Sequence, residues 1–284
     1  MTNTVSRLLR QIWKVRMGCL GGFILIALCI SAVFAPSIAP HDPYRQQITN
    51  RLLPPSWMNG GTSEYVLGTD AVGRDTLSRL IYGARVSLTV GAISVVLSAI
   101  IGVFLGLVSG YYGKLTDTGV SMLVNIMLAF PFMLLALAAI AILGPSFRNM
   151  IIILGLTGWP IYTRPIRAEV QNLKHQEFVL AAKGSGMRDS RVLYGHILPN
   201  LTNSIVVIAS LEVARMIIME SFLSFLGLGV QPPTPSWGGM LGDGRVYMLR
   251  QWWLAAFPGF AIFITTLSIN FVGEALRDLL DPRF

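Results

Sequence analysis

From position 17 to 38 the chain carries no charged side chain, and comparable apolar stretches recur at about 86–109, 120–143, 150–163, 205–225 and 255–272. A bilayer core takes about 20 apolar residues to cross as a helix. In lipid a backbone satisfies its polar groups only as helix or closed barrel, so runs of this kind specify an all-α integral membrane protein with six transmembrane helices. The composition agrees: 53% of residues are hydrophobic and 13% charged, where soluble domains carry about a quarter charged residues. The stretch at 150–163 is the shortest and contains Trp159-Pro160, a break that neighbouring helices can cover within a membrane.

Orientation follows from charge. Arg7, Arg10, Lys14 and Arg16 precede the first run, which places residues 1–16 in the cytoplasm by the positive-inside rule. Such a start resembles a signal peptide, but the apolar run exceeds the usual central region of one, so 17–38 reads as a retained anchor and the first transmembrane helix. Pro36, Pro40 and Pro43 mark its exit. Residues 39–85, with Pro54-Pro55 and Asn59-Gly60-Gly61, read as an extracytoplasmic loop. Within it, Leu77, Leu80, Ile81 and Ala84 fall at helical spacing with Arg79 and Arg85 off the stripe, the pattern of an interfacial helix that Thr69 or Asp70 would cap. Five helices and a cytoplasmic C-terminus then occupy 86–284.

The residues offer little chemistry. The net charge of +8 fits flanks of membrane spans, and no Lys/Arg cluster is interleaved with aromatics as a nucleic-acid surface requires. Cys19 and Cys29 share one span and lie about 15 Å apart along it, too far to pair. His41, His175 and His196 lie outside the spans without a second ligand at metal spacing. Asp70, Gly73 and Asp75 lack the ligand spacing of a calcium loop. Gly184-Ser185-Gly186 has no membrane-embedded base beside it. No phosphate-binding loop of the GxxxxGK type occurs. The expectation is no catalytic residue, no metal and no cofactor bound by this chain.

Two regions stand out instead. The fifth run holds Glu212, Arg215 and Glu220, and ionisable residues inside a membrane face a cavity or a partner rather than lipid. Glu212 and Arg215 are spaced i, i+3 and can pair, whereas Glu220 has no evident partner within the span. The cytoplasmic loop 164–200 reads as helix, turn, short helix, broken by Gly184-Ser185-Gly186 and closed by Pro199. Its short helix would present Arg188, Asp189 and Arg191. From the residues alone this loop could be a solvated connection, and a membrane-embedded lipid-modifying enzyme or an ATP-independent channel stays open.

A resemblance narrows the choice. Ala181-Ala182, Gly186 and Leu198-Pro199 stand at the spacing of the "EAA" signature of ABC importer permeases, with Leu180 at the position of its Glu and His196 at that of its Ile. Gly68-Thr69-Asp70, Gly73-Arg74-Asp75, Ser78-Arg79 and Gly83-Ala84-Arg85 look like the sequence before the second span in the dipeptide, oligopeptide and nickel permease family, C-type subunit. Leu223 to Gly229, Gln231 to Pro235, Trp237-Gly238 and Met240-Leu241 resemble its sequence after the fifth span. Asn270, Gly273, Leu276-Arg277-Asp278 and Leu280-Asp281-Pro282 resemble its C-terminus.

The resemblance implies a type I ABC importer transmembrane-domain fold in a bacterial or archaeal cytoplasmic membrane. It also implies a homologous permease partner, two ATP-binding subunits that hydrolyse ATP with Mg, and an extracytoplasmic solute-binding protein. Ala181, Ala182, Gly186, Arg188, Asp189, Arg191, Leu198 and Pro199 would then form the ATPase-coupling loop. Glu212, Arg215 and Glu220 are candidates for the solute pathway or the subunit interface.

Overall fold

The computed structural model describes residues 2–280, with side chains from residue 16 onward. Arg7, Arg10, Lys14 and the end of the chain from Asp281, which contribute to the orientation and family arguments, lie outside the described side chains. The described residues are all-α, with one isolated bridge between Thr69 and Asp75.

Helix α1 (Thr2–Val33) ends at Phe34, and α2 (Ala35–Ile38) follows with Pro36 in its first turn, where the missing N–H costs no hydrogen bond. Residues 39–75, expected on the outer side, form an irregular segment knitted by its own backbone: Gln47 N–H donates to Val72 O (3.1 Å), Leu52 N–H to Asp70 O (3.0 Å) and Ser56 N–H to Val66 O (3.1 Å). Gly73 is obligatory there. Its φ is +77°, and a Cβ would lie 1.8 Å from Gln47 O.

Helix α3 (Thr76–Tyr112) is the centre of the bundle. The expected interfacial helix is not separate: Leu77 to Ala84 are its first turns, because no proline interrupts the helical backbone between Thr76 and Tyr112. Its cap is neither Thr69 nor Asp70 but Asp75, whose carboxylate accepts the Ser78 N–H at 2.9 Å. Arg79, expected at the surface, is buried and lies 3.5 Å from Asp70. Further along α3, Gly102, Gly106 and Gly110 recur every fourth residue and therefore share a face.

That face meets α7 (Pro160–Leu173). Added Cβ atoms would stand 2.4 Å from Trp159 O, 2.9 Å from the Ile166 Cβ and 2.7 Å from the Val170 Cβ. Small residues let membrane helices approach this closely, and hydroxyls then bond across the seam: Thr163 Oγ1 donates to Gly102 O at 3.1 Å and Ser98 Oγ to Gly155 O at 2.8 Å. The latter joins α3 to α6 (Phe147–Gly158), separated from α7 by Trp159 alone.

The expected third span is two helices, α4 (Lys114–Ala129) and α5 (Phe132–Leu143), meeting at 85° across Phe130-Pro131. The loop expected on the cytoplasmic side continues from α7 as α8 (Glu177–Gly184), α9 (Asp189–Val192) and a π turn over Leu193–Ile197. It leads into α10 (Leu198–Phe225), where Pro199 opens the helix rather than closing the loop. Helices α11 (Trp237–Gly244) and α12 (Trp253–Leu280) complete the chain, and α12 packs along α1.

By length and hydropathy, three described helices can cross a membrane on their own: the 16–33 part of α1, α3 and α12. The bent α4–α5 pair makes a fourth if it is one span. Helix α10, 28 residues long and carrying Glu212, Arg215 and Glu220, is not among them. The six-span count therefore stands as an expectation.

Candidate functional site

The loop over 164–200, expected to be the coupling loop, is built on an apolar base with a polar tip. Val179 and Ala182 of α8, Val192 of α9, and Leu193 and Ile197 of the π turn pack with Ile166, Val170, Leu107, Tyr111 and Leu201 in one buried cluster. These positions face inward, so Ala181, Gly186, Arg188, Asp189 and Arg191 are left exposed, as is Pro199. Ala182 is buried and Leu198 half-buried. The small pair thus has one member on each side.

Gly186 makes the turn. Its φ of +77° follows α8, and the Met187 N–H returns to Ala182 O at 3.2 Å, the kind of left-handed turn that ends helices at glycine. Nothing lies within 4 Å of a Cβ placed there. The tip is therefore fixed by backbone geometry but free of neighbours within the chain. From α3, Tyr111 Oη donates to Asp189 Oδ1 at 2.5 Å, and the Lys183 ammonium sits 4.3 Å from the Tyr111 ring centre. The Lys174 ammonium donates to Gly110 O at 2.9 Å. Loop and α3 are joined at three points.

The charges of α10 fall into two settings. Glu212 and Arg215 form the pair their spacing allows, with Nη2 to Oε2 at 2.7 Å, and the guanidinium lies 4.6 Å from the centre of the Phe132 ring. Arg215 keeps a quarter of its side chain exposed. Glu220 is fully buried, and its partners are serines: Ser87 Oγ donates at 2.9 Å, Ser224 Oγ at 2.8 Å and Ser221 Oγ at 3.3 Å. Two of these lie on α10 one residue and one turn away. The third comes from α3, beyond the reach of any local pattern.

The opposite end of the bundle, around α11, is equally organised. Ser236 caps α11 through the Gly239 N–H (3.1 Å), and the buried Trp237 donates its Nε1–H to Leu80 O at 3.0 Å, tying α11 to α3. The proline-rich stretch before it is irregular, as expected. A cavity of about 490 Å³ opens beside it, lined by Asp70, Arg74, Arg79, Asp243 and Arg245 among others. Burial pushes the Asp243 carboxyl above its usual pKa, against the opposing pull of Arg79 and Arg74. Among the described residues no group of three or more His, Cys, Asp or Glu could hold a metal.

Residues 102–284 match the family described as the binding-protein-dependent transport system inner membrane component, and residues 5–55 match the N-terminal TM domain of oligopeptide transport permease C. The chain is similar to the di/tripeptide transport system permease protein DppC of Pseudomonas aeruginosa (strain UCBPP-PA14), 43% identical over 279 residues, covering 97% of this chain and 92% of that one. It is 41% identical over 274 residues to the dipeptide transport system permease protein DppC of Alkalihalophilus pseudofirmus, covering 96% and 88%. In fold it resembles a chain of the inward-facing MetNI methionine ABC transporter, with a TM-score of 0.56 at 18% identity, covering 72% of this chain and 96% of that one. With matches that span the outer segment, the bundle and the coupling loop alike, the chain belongs to the binding-protein-dependent transport system inner membrane component family, the multi-pass inner-membrane permeases of ABC importers.

Proposed function

We propose that this permease forms, with a homologous permease, the path of an importer for dipeptides or closely related peptides. Two ATP-binding subunits dock beneath it and hydrolyse ATP with Mg, and an extracytoplasmic solute-binding protein delivers the peptide. The chain's own part is mechanical and non-catalytic, carried by six membrane crossings. The observation that carries the reading is the loop over 164–200: its tip is exposed while its base is locked into the buried cluster around Val179 and Val192. An element built this way can receive a push and pass it on.

In this reading Ala181, Gly186, Arg188, Asp189 and Arg191 meet the ATPase, and Ala182, Leu198 and Pro199 seat the loop on the bundle. Arg215, the partly exposed member of its pair, serves the path or the interface with the second permease. Glu212 holds it, and Glu220 braces α10 against α3 in the same region. At the outer face Val246 and Leu249 stand exposed beside Trp252, a rim suited to the delivering protein.

Co-purification of the tagged permease with its ATPases, followed by uptake of a labelled dipeptide into proteoliposomes holding ATP, tests the proposal. Uptake that requires ATP and the binding protein is expected. A permease that moves peptide without ATPases, or that binds none, refutes it.

A further inference from the structure

A groove beside α4 lies apart from the exposed tip of the 164–200 loop and from the α10 charges. Along α4, Asp117, Ser121 and Asn125 recur every fourth residue and so share one face. They line, with Thr118, the apolar Met122, Ile126 and Ala129, and Arg167 of α7, an open groove of about 700 Å³. From Asp117 to Asn125 the stripe climbs about 12 Å of helix, deeper than a layer of lipid headgroups alone would explain. Elsewhere α4 and α5 expose apolar side chains such as Leu115, Leu123, Leu134 and Ile142. Polar faces at membrane depth line water-filled cavities or protein contacts.

The charges in the groove are unequal. Arg167 is held by Asp117 through two hydrogen bonds, one of them from Nη2 to Oδ2 at 2.7 Å, and that pair is neutral. Arg164, one turn earlier on α7 and exposed, donates from Nη2 to the Asn125 amide oxygen at 3.0 Å. Among the described residues no carboxylate lies within salt-bridge distance of it. A guanidinium has five donors in a planar fork that fits a carboxylate two bonds at a time, and an amide oxygen uses one. Arg164 thus presents one uncompensated positive fork at the edge of the groove, beside the polar stripe at Asn125. It lies on the helix that runs directly into the coupling loop.

We propose that the groove between α4 and α7 is this chain's wall of the solute path at its cytoplasmic end, and that Arg164 receives the carboxylate of the departing peptide there. The inference rests on the peptide-importer reading above. It adds the residues, the ligand group and a link to the ATPases, since any rotation of α7 driven from the loop moves Arg164 directly.

The test uses the assembled transporter with its ATPases and binding protein in proteoliposomes. Arg164→Gln and Arg164→Lys are compared with the unaltered protein for uptake of a dipeptide and of the same dipeptide with its C-terminus amidated. A hydrogen bond to a charged group predicts about a tenfold loss of free-acid uptake in Arg164→Gln. Amide uptake should change less than twofold, and Arg164→Lys should restore part of the loss. Equal loss for both peptides, or none for either, overturns the assignment. A loss that disappears when anionic phospholipid is left out of the vesicles also overturns it, because the arginine then holds a lipid phosphate.

A second measurement replaces Cys19 and Cys29 by serine and introduces Ser121→Cys. Labelling by a charged, membrane-impermeant thiol reagent from the cytoplasmic side, slowed during peptide turnover, is expected; no labelling places the groove under lipid or a partner and refutes the proposal. If the unaltered transporter takes up no peptide, the importer reading and this one fall together. Uptake with an unaltered acid-to-amide ratio in Arg164→Gln sinks only the assignment of the carboxylate.

Discussion

Gly186 separates the cost of bending a backbone from the cost of blocking a partner. Its φ of +77° is one that any residue with a Cβ adopts at about 1–2 kcal/mol, and this cost is the same for alanine and for tryptophan. Within the chain the two also meet the same surroundings, since nothing lies within 4 Å of the Cβ position. Against a typical stability of 5–15 kcal/mol, both variants should fold and insert. On the proposed docking to an ATPase the two differ: an indole at the tip displaces a central contact, and contacts of that kind are worth about 2 kcal/mol or more. That corresponds to about 30-fold weaker association. The assay is titration of purified ATPase subunits onto the permease with peptide-stimulated ATP hydrolysis as readout, alongside thermal unfolding of the permease alone. Gly186→Ala and Gly186→Trp should unfold at similar temperatures while only the tryptophan variant loses association. Equal association of the two refutes the claim that this tip enters the ATPase.

Other substitutions test the packing from which the site hangs. Glu220→Ala strands the Ser87 and Ser224 hydroxyls in the bundle at about 1–3 kcal/mol for each buried group, so the detergent-solubilised protein should melt clearly lower, with Glu220→Gln closer to the unaltered protein. Gly106→Ala places a Cβ 2.9 Å from that of Ile166 and should destabilise by about 1–3 kcal/mol. Gly119→Ala, with open space around it, should be neutral or slightly stabilising in the same melting experiment. Asp243 has a raised pKa in the fold, so its contribution favours the folded state at low pH and is lost as pH rises through that raised value. Asp243→Asn should therefore flatten the decline in melting temperature from about pH 4 to 7; an unchanged pH profile would count against the burial argument.

Local chemistry made much of this readable in advance. Proline positions placed the break at Trp159-Pro160, glycine placed the turn at Gly186, and i, i+3 spacing paired Glu212 with Arg215. What sequence could not show was anything decided across the bundle. The serine that completes the Glu220 nest, Ser87, is 133 residues away. Asp75 rather than Thr69 or Asp70 caps α3, because Asp70 is occupied by the Val72 and Arg74 N–H groups at 3.0 and 2.9 Å and Thr69 Oγ1 bonds back to Asn50 O. Arg79 sits buried because Asp70 and Pro43 O wait for it, partners no helical wheel contains. The third apolar run read as one span because hydropathy has no direction, and the 85° turn at Phe130-Pro131 changes direction without changing polarity.

Helix α3 has 37 residues, a rod about 55 Å long. Its C-terminal end is fastened to the 164–200 loop by Tyr111 with Asp189 and by Gly110 with Lys174. Its outer end is fastened to α11 by Leu80 with Trp237 and to the outer segment by Arg79 with Asp70. A lever fixed at both ends carries displacement rather than absorbing it, and α3 has no internal proline at which to flex. A shift of the loop would thus arrive at the far end of α3 as a movement of one solid piece, so that the two ends of the bundle keep time through a single helix.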